Sequence, residues 1–480
     1  MPNSISDNLQ RLQTARTGIA NAITAKGGTV GSNDGFEEFI SDIGTIPDSV
    51  ETYCQLFVTT ESGVTITVSK GGTTLDPQTC VGGEELVFNI PESGTWTVSG
   101  SNNITKTVSI INQVSYYIEI VTVHTFGVLW NKTTSTVLTR TDDSANFSNP
   151  NPYYKKMSGT PSSPFDNYSP WKDIAVETIE GNSMVKIPKY WYKITSDSNG
   201  LKIQISDRAQ DGFSISPAHQ DRKDGEGERD YVYIGRYVCN STNYKSTTNS
   251  SPKGSVSITT FREQCKKQGS DQVIPGFYQQ DFAMFWTIRM LYLVEFANWD
   301  SQACIGFGCY YYQTSGTTDS MTYHTGTTET SRSTYGDGTQ YRHIENMWTC
   351  IDEFCDGIFF SGTNNVDVYI VKNPLLFTNS DKTYAANVGQ RATSNGCISD
   401  FLVPSVNGYD WVLYPSAVNG TDYTKYISDK SEYDSDGSAL QIGGSMRDRS
   451  GGLFYMDAAS SSSVISSRIG SRLMYLPPNS

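Results

Sequence analysis

Apolar residues fall into three successive textures along the chain. In the first, Ile5, Leu9, Leu12, Ile19 and Ile23 recur on a 4-3-7-4 spacing, one stripe of an amphipathic helix. Ser4 or Ser6 can cap its start, and Gly27-Gly28 stops it. Arg16 takes the slot that a strict heptad would make apolar, so the pattern predicts a short helix that buries one side against a partner, copies of itself included. A second short helix is predicted over "SNDGFEEFISDIGTIP", with Phe36, Phe39, Ile40 and Ile43 as its apolar side and Pro47 as its stop. Two helices this short hold no core alone, so residues 1–50 read as an attachment or oligomerisation segment.

Between Glu51 and Val121 the period falls to two. "GVTITVS" alternates Val64, Ile66 and Val68, "GTWTVSG" sets Trp96 and Val98 on one face, and "SYYIEI" closes the run with Tyr116, Ile118 and Ile120. Gly and Pro separate these runs, so residues 51–121 are predicted to form a small antiparallel β-sandwich. From residue 122 onward, aromatic-rich strands such as "MVKIPKYWYKI" and "YVYIGRYVC" alternate with polar loops. Two helices interrupt them. "SVSITTFREQCKKQGS" puts Ile258, Phe261 and Cys265 on one side. "QQDFAMFWTIRMLYLVEFANW" is capped by Asp281 and apolar nearly all round, which predicts a buried central helix. Beyond Gly306 the pattern predicts loops and short strands, and loops this long usually carry function. The predicted class is α+β multidomain: short helices over 1–50, an Ig-like sandwich over 51–121 and one large domain over 122–480.

Composition narrows the functions. The 480 residues exceed what one ordinary core accommodates. A formal charge of −14 repels phosphate backbones and argues against nucleic-acid binding. The most apolar stretch, Phe282 to Trp299, is broken by Arg289 and Glu295, so no membrane association is expected. The first ten residues lack a basic segment leading into an apolar one, so synthesis in a cytoplasm without a secretion signal is expected. The nine cysteines are accordingly expected as free thiols. Cys304/Cys309 and Cys350/Cys355 each leave four residues between them, wider than the usual zinc spacing, and neither metal nor cofactor is expected.

Chemistry-bearing residues concentrate in "ENMWTCIDEFCDGI", residues 345–358. A nucleophilic Cys350 or Cys355 needs a base, and His343 is the candidate nearby. Met347, Trp348, Ile351, Phe354 and Ile358 instead mark the stretch as core scaffold. No Walker-type loop, H-E-x-x-H or G-x-S-x-G occurs. Asp281, Glu295, Asp352 and Glu353 are the carboxylates to weigh for a glycan-cleaving pair; Asp281 reads better as a helix cap and Glu295 as a partner of Arg289 or of a backbone turn. "DSDG" at 434–437 lacks the rest of an EF-hand loop and reads as a polar turn. No catalytic residue is expected.

Six stretches occur in order: "SMVKIPKYWYKI", "YIGRY", "LYLVEFANWDSQACIG", "YRHIENMWTCIDEFCDGI", "YDWVLYP" and "IGSRLMYLP". They resemble phage tail proteins whose C-terminal domain has the C-type-lectin fold. That domain is the variant shared with formylglycine-generating enzymes and retroelement-diversified variable proteins. The likeness spans residues 122–480. "DNLQRLQTARTGIANAITAKGGTV" resembles the start of many tail-fibre proteins, and "LVFNIPESGTWTVSG" resembles PEGA-like or carboxypeptidase-regulatory-like modules. The resemblance implies a virion protein of the tail tip or fibre. It would bind a host cell-surface glycan or protein through residues 122–480, join other tail proteins through residues 1–50, and assemble as a homotrimer.

Departures from the family matter too. The formylglycine-generating enzymes use a cysteine pair near the C-terminal end of the fold, and here no cysteine follows Cys397. The Glu-Pro-Asn and Gln-Pro-Asp sugar signatures of animal lectins are absent. "GGS" and "IGSRLMY" resemble the strands that flank the ligand surface of this fold. Expected ligand contacts are therefore Arg447, Asp448, Arg449, Phe454, Tyr455, Asp457, Ser460 and Ser461, where Arg and aromatics anchor and Ser adapts. A second expected surface is "GCYYYQTSGTTDSMTYHTG", through Tyr311, Tyr312 and Tyr323. The rival readings are a structural or decorating virion protein such as a head fibre, and a glycan-acting or cysteine-oxidising enzyme.

Overall fold

A computed structural model describes residues 5–25, 29–30, 54–111, 114–132, 135–155, 159–271, 276–309, 313–328, 338–421, 426–444 and 451–478. They form two compact units divided between Thr122 and Val123. Both are dominated by strands in several separate sheets, with few helices.

In the first unit, helix α1 spans Ile5–Ala25. Ile23 is buried, but Leu12 and Ile19 are 54% and 38% exposed, so part of the apolar stripe is uncovered. The second predicted helix, with Phe36, Phe39, Ile40 and Ile43, lies outside the described residues. Strands Cys54–Thr60, Leu86–Ile90 and Tyr116–Ile120 form one sheet, and Thr65–Lys70, Gly94–Gly100 and Thr105–Ile110 are neighbours in another. Ile66, Val68, Trp96 and Val98 share a buried core with Leu56, Val58 and Phe88, the product of alternation along each strand. One pair departs from the antiparallel expectation. Cys54–Thr60 runs parallel to Tyr116–Ile120, because the chain returns to this edge through a long crossover instead of a hairpin.

In the second unit, helix α2 spans Ile258–Lys266, and Ser257 caps it by accepting from Thr260 N. Helix α3 spans Phe282–Phe296; Asp281 caps it by accepting from Met284 N, and Ala297 ends it in the left-handed region at φ 50°. All fifteen residues of α3 are buried, so its two charged side chains need protein partners. Arg289 donates to Leu453 O and Phe285 O. Glu295 does not pair with Arg289. It meets Arg342 at 2.6 Å and accepts from Tyr341 at 3.0 Å. Six residues of helix separate the two side chains by roughly 120° around the axis, which prevents the pairing.

Two sheets frame the C-terminal part of this unit. In one, Asn182–Pro188, Tyr231–Gly235, Leu473–Tyr475 and Phe277–Gln279 lie side by side. In the other, seven strands take the order Tyr414–Val418, Gly396–Leu402, Lys430–Tyr433, Met456–Ala458, Leu440–Ile442, Asp352–Cys355 and Ile469–Gly470. The region beyond Gly306 thus consists of loops and short strands, as its pattern predicts. Several of these strands are buried at every residue, such as Leu440–Ile442, and double-sided burial erases the alternation by which a strand is read.

The "ENMWTCIDEFCDGI" stretch is interior. Met347, Trp348, Cys350, Ile351, Phe354, Cys355 and Ile358 are all buried. Its carboxylates tie it to distant chain: Glu345 accepts from Gly316 N and Thr318 N at 2.8 Å each, Glu353 pairs with Arg472 at 2.8 Å, and Asp356 pairs with Arg262 at 2.7 Å. Such buried pairs specify geometry more than they add net stability.

Candidate ligand-binding face

The C-terminal stretch is positioned from inside. Gln302 Nε2 donates to Gly451 O, Arg289 Nε donates to Leu453 O, Leu453 N donates to Ser301 Oγ at 3.0 Å, and Phe454 N donates to Asp429 at 2.6 Å. Gly452 is required by close approach, since a Cβ there would lie 2.5 Å from Asp429 Oδ1. Phe454 is fully buried, with its ring centroid 4.9 Å from Trp299, 5.9 Å from Tyr292 and 6.3 Å from Trp286. This corrects the expectation that Phe454 contacts ligand. Its aromatic area is worth more against those rings than against solvent.

After Phe454 the chain enters strand Met456–Ala458, in which Met456 and Ala458 are buried and Asp457 is half-buried. Glu432 lies opposite Asp457 in the parallel neighbour, Gln441 lies opposite Asp457 on the other side, and Phe354 lies opposite Gln441. Paired residues share a face of the sheet, as do residues two apart. Glu432, Asp457, Gln441, Phe354 and Asp352 therefore line one face, on which Gln441 and Phe354 are buried and Glu432, Asp457 and Asp352 are half-buried. Tyr455 joins it, its hydroxyl donating to Glu432. The adjoining "DSDG" segment is a turn in which Asp436 N donates to Asp434 Oδ1 at 2.9 Å and Gly437 N to Asp434 O at 3.0 Å. Arg391 fastens it, donating to Asp434 O, Gly437 O and Ala458 O.

The electrostatics are unusual for a surface. Burial, then the charges of Asp457 and Glu432, push the Asp352 carboxyl up to about 8. Burial pushes Asp457 up to about 6 against the opposing Ala459 N–H. Burial and the neighbouring carboxylates Asp457, Glu432 and Asp352 hold the Tyr455 hydroxyl far above its ordinary range. Asp352 Oδ1 and Gln441 Nε2 are buried with no hydrogen-bond partner among the described residues. At neutral pH Asp352 is a neutral acid that can donate, beside an Asp457 carboxylate that accepts. The face suits a ligand that presents hydroxyl or ammonium donors together with hydroxyl acceptors.

The raised Asp352 pKa has a stability consequence. The unfolded carboxyl loses its proton near about pH 4, while the folded one keeps it to about 8. The folded state thus binds more protons across that window, and stability falls as pH rises through it. Asp352→Asn is expected to raise stability at pH 8.5 by on the order of 2 kcal/mol, with little change at pH 4.5. Urea unfolding of both proteins at the two pH values checks this; equal stability at pH 8.5 would show a solvated carboxyl.

The remaining expected contacts do not gather at one place. Ser460 is half-buried and Ser461 exposed in the turn after the face, and Ser460 O accepts from Ser438 N and Ala439 N. Arg447, Asp448, Arg449, Tyr311 and Tyr312 lie outside the described residues. Tyr323 belongs to a separate group. Its hydroxyl donates to Asp166 at 2.6 Å, with His324 Nε2 at 3.0 Å and Arg342 at 2.8 Å from the same carboxylate. Burial opposes ionisation of Asp166, but the bonds from His324 and Tyr323 and the charge of Arg342 hold it well below the usual carboxylate range. Sequence alone places Asp352 only among hydrolytic candidates and gives no reason to single out Glu432 or Gln441. The available signal was one acid at period two with an aromatic or sulfur neighbour in "SEYD" and "YMDA", and strand register, which joins them, is not written locally. No known family model matches the chain, and no curated protein matches it.

Proposed function

We propose that the chain is a non-catalytic receptor-binding protein of a phage virion, at the tail tip or fibre. In this reading the second unit is a C-type-lectin-like scaffold that presents the Tyr455–Asp457 face to a host-surface glycan or protein. The observation that carries it is a pinned segment leading into half-buried polar groups: residues 451–454 are held by α3, Ser301 and Asp429, and Tyr455 and Asp457 follow, half-buried, beside Asp352 and Glu432. Binding groups on a frame fixed by packing lose little freedom on association. The exposed Leu12 and Ile19 of α1 support self-association, as a trimer by resemblance to tail fibres, with residues 1–50 reaching other tail proteins. The first unit, read as a PEGA-like or Ig-like sandwich, serves as a spacer. Several copies on one particle would add avidity to a weak site.

The test is binding of labelled full-length protein to a panel of bacterial cells and isolated envelopes, beside a Tyr455→Ala, Asp457→Ala double variant. The variant is expected to bind about ten-fold less or weaker still while unfolding near the wild-type temperature. Equal binding would move the receptor surface elsewhere. No binding by either protein would favour a decorating virion role. A second reading, glycan hydrolysis, is favoured by a protonated Asp352 beside the Asp457 carboxylate. Release of new reducing ends from the same envelopes separates it; none is expected.

A further inference from the structure

A concavity lies at the C-terminal end of α3, independent of the Tyr455 face. It encloses about 440 Å³, within the range of small-ligand sites. Phe147, Pro150 and Phe296 supply apolar lining, and Asn149, Asn151 and Asn298 supply amides. Among the described residues that line the cleft, Arg140 is the one charged side chain and none is a carboxylate, although the chain carries a net charge of −14.

Arg140 is held in place by the helix end. Nη1 donates to Val294 O at 2.7 Å, and Nη2 donates to Glu295 O at 2.6 Å and to Asn149 Oδ1 at 3.3 Å. Its guanidinium also sits 5.5 Å from the Phe165 ring centroid. These three bonds leave two of the five guanidinium N–H groups for a further acceptor. A fixed guanidinium is the preferred partner of a carboxylate. Asn149 Oδ1 already accepts from Arg140, Asn151 Nδ2 donates to Thr160 O at 3.1 Å and Asn298 Oδ1 accepts from Asp300 N at 2.9 Å, so each rim amide is oriented and keeps further donor and acceptor capacity, the pattern a sugar diol matches, while a half-buried Phe147 offers an apolar ring face.

We propose that this cleft binds an acidic pyranose, with its carboxylate at Arg140, its ring against Phe147 and its hydroxyls at Asn149 and Asn151. Cys304 reports on occupancy. It lines the cleft and is half-buried, while the other eight cysteines are buried. The experiment titrates the full chain with tri-galacturonic acid and, separately, with its methyl ester, tracking affinity by calorimetry and the rate of Cys304 labelling by a small maleimide. The acid is expected to bind and to slow Cys304 labelling about five-fold when four-fifths of the sites are filled; the ester is expected to do neither. Ala145→Trp, which fills the cleft from an exposed lining position, is expected to abolish both effects. Equal behaviour of acid and ester overturns the ligand class. Binding without protection, or binding that survives Ala145→Trp, overturns the location, and absence of binding overturns the proposal. The acid–ester comparison uses the unaltered chain, so it decides the matter even if Ala145→Trp loses its fold.

Discussion

Replacing Asp281 with alanine is expected to destabilise the second unit by about 3–5 kcal/mol. Two losses combine. Asp281 Oδ1 accepts from Met284 N at 2.8 Å and so closes the first turn of α3; a cap of this kind is worth about 1 kcal/mol. Its other oxygen pairs with Arg222, and both side chains are 1% exposed. Arg222 keeps only one further bond, from Nε to Lys372 O at 2.9 Å, and its Nη1 has no partner among the described residues. Removing Asp281 therefore strands a buried guanidinium, the larger of the two costs. Asp281→Asn retains the cap and removes the charge, so the difference between the variants isolates each part. Urea unfolding monitored by tryptophan fluorescence reads the second unit, because Trp96 is the one tryptophan outside it. A loss below about 1 kcal/mol for the alanine variant would mean that neither contact is buried in solution.

Phe454→Ala and Tyr455→Ala should produce opposite results although the residues are adjacent. Phe454 is enclosed by Trp299, Tyr292 and Trp286, so its truncation leaves a cavity and is expected to cost about 3–5 kcal/mol. Tyr455 is half-buried at the edge of the acidic face, and its truncation is expected to cost about 1 kcal/mol while weakening ligand binding. Stability and envelope binding measured on both variants test the assignment together. If Phe454→Ala unfolds like the wild type but loses binding, its ring faces the ligand in solution and its packing against Trp299 is not the binding-competent state.

Much of the architecture was legible because its determinants are local. The apolar stripe from Ile5 to Ile23, the all-round apolar run after Asp281 and the alternation of Ile66, Val68, Trp96 and Val98 each reflect a period of one element. Asp281 announces a helix start because a cap acts within three residues of itself. Trp348, Ile351 and Phe354 read as scaffold, and all three are buried.

What the sequence could not determine is which distant segments meet. The parallel pairing of Cys54–Thr60 with Tyr116–Ile120 depends on the path of the intervening chain. Glu295 finds Arg342 instead of Arg289 because the helix sets the direction in which each side chain leaves it. Phe454 and Tyr455 carry similar rings in adjacent positions, and only the placement of α3 and Trp299 sends one inward and leaves the other at the surface. Asp352, Glu432 and Asp457 come together through the register of four strands. Local periodicity decides the kind of element and its apolar side; burial against non-local partners decides register, the direction of each aromatic, and hence which carboxylates share a face.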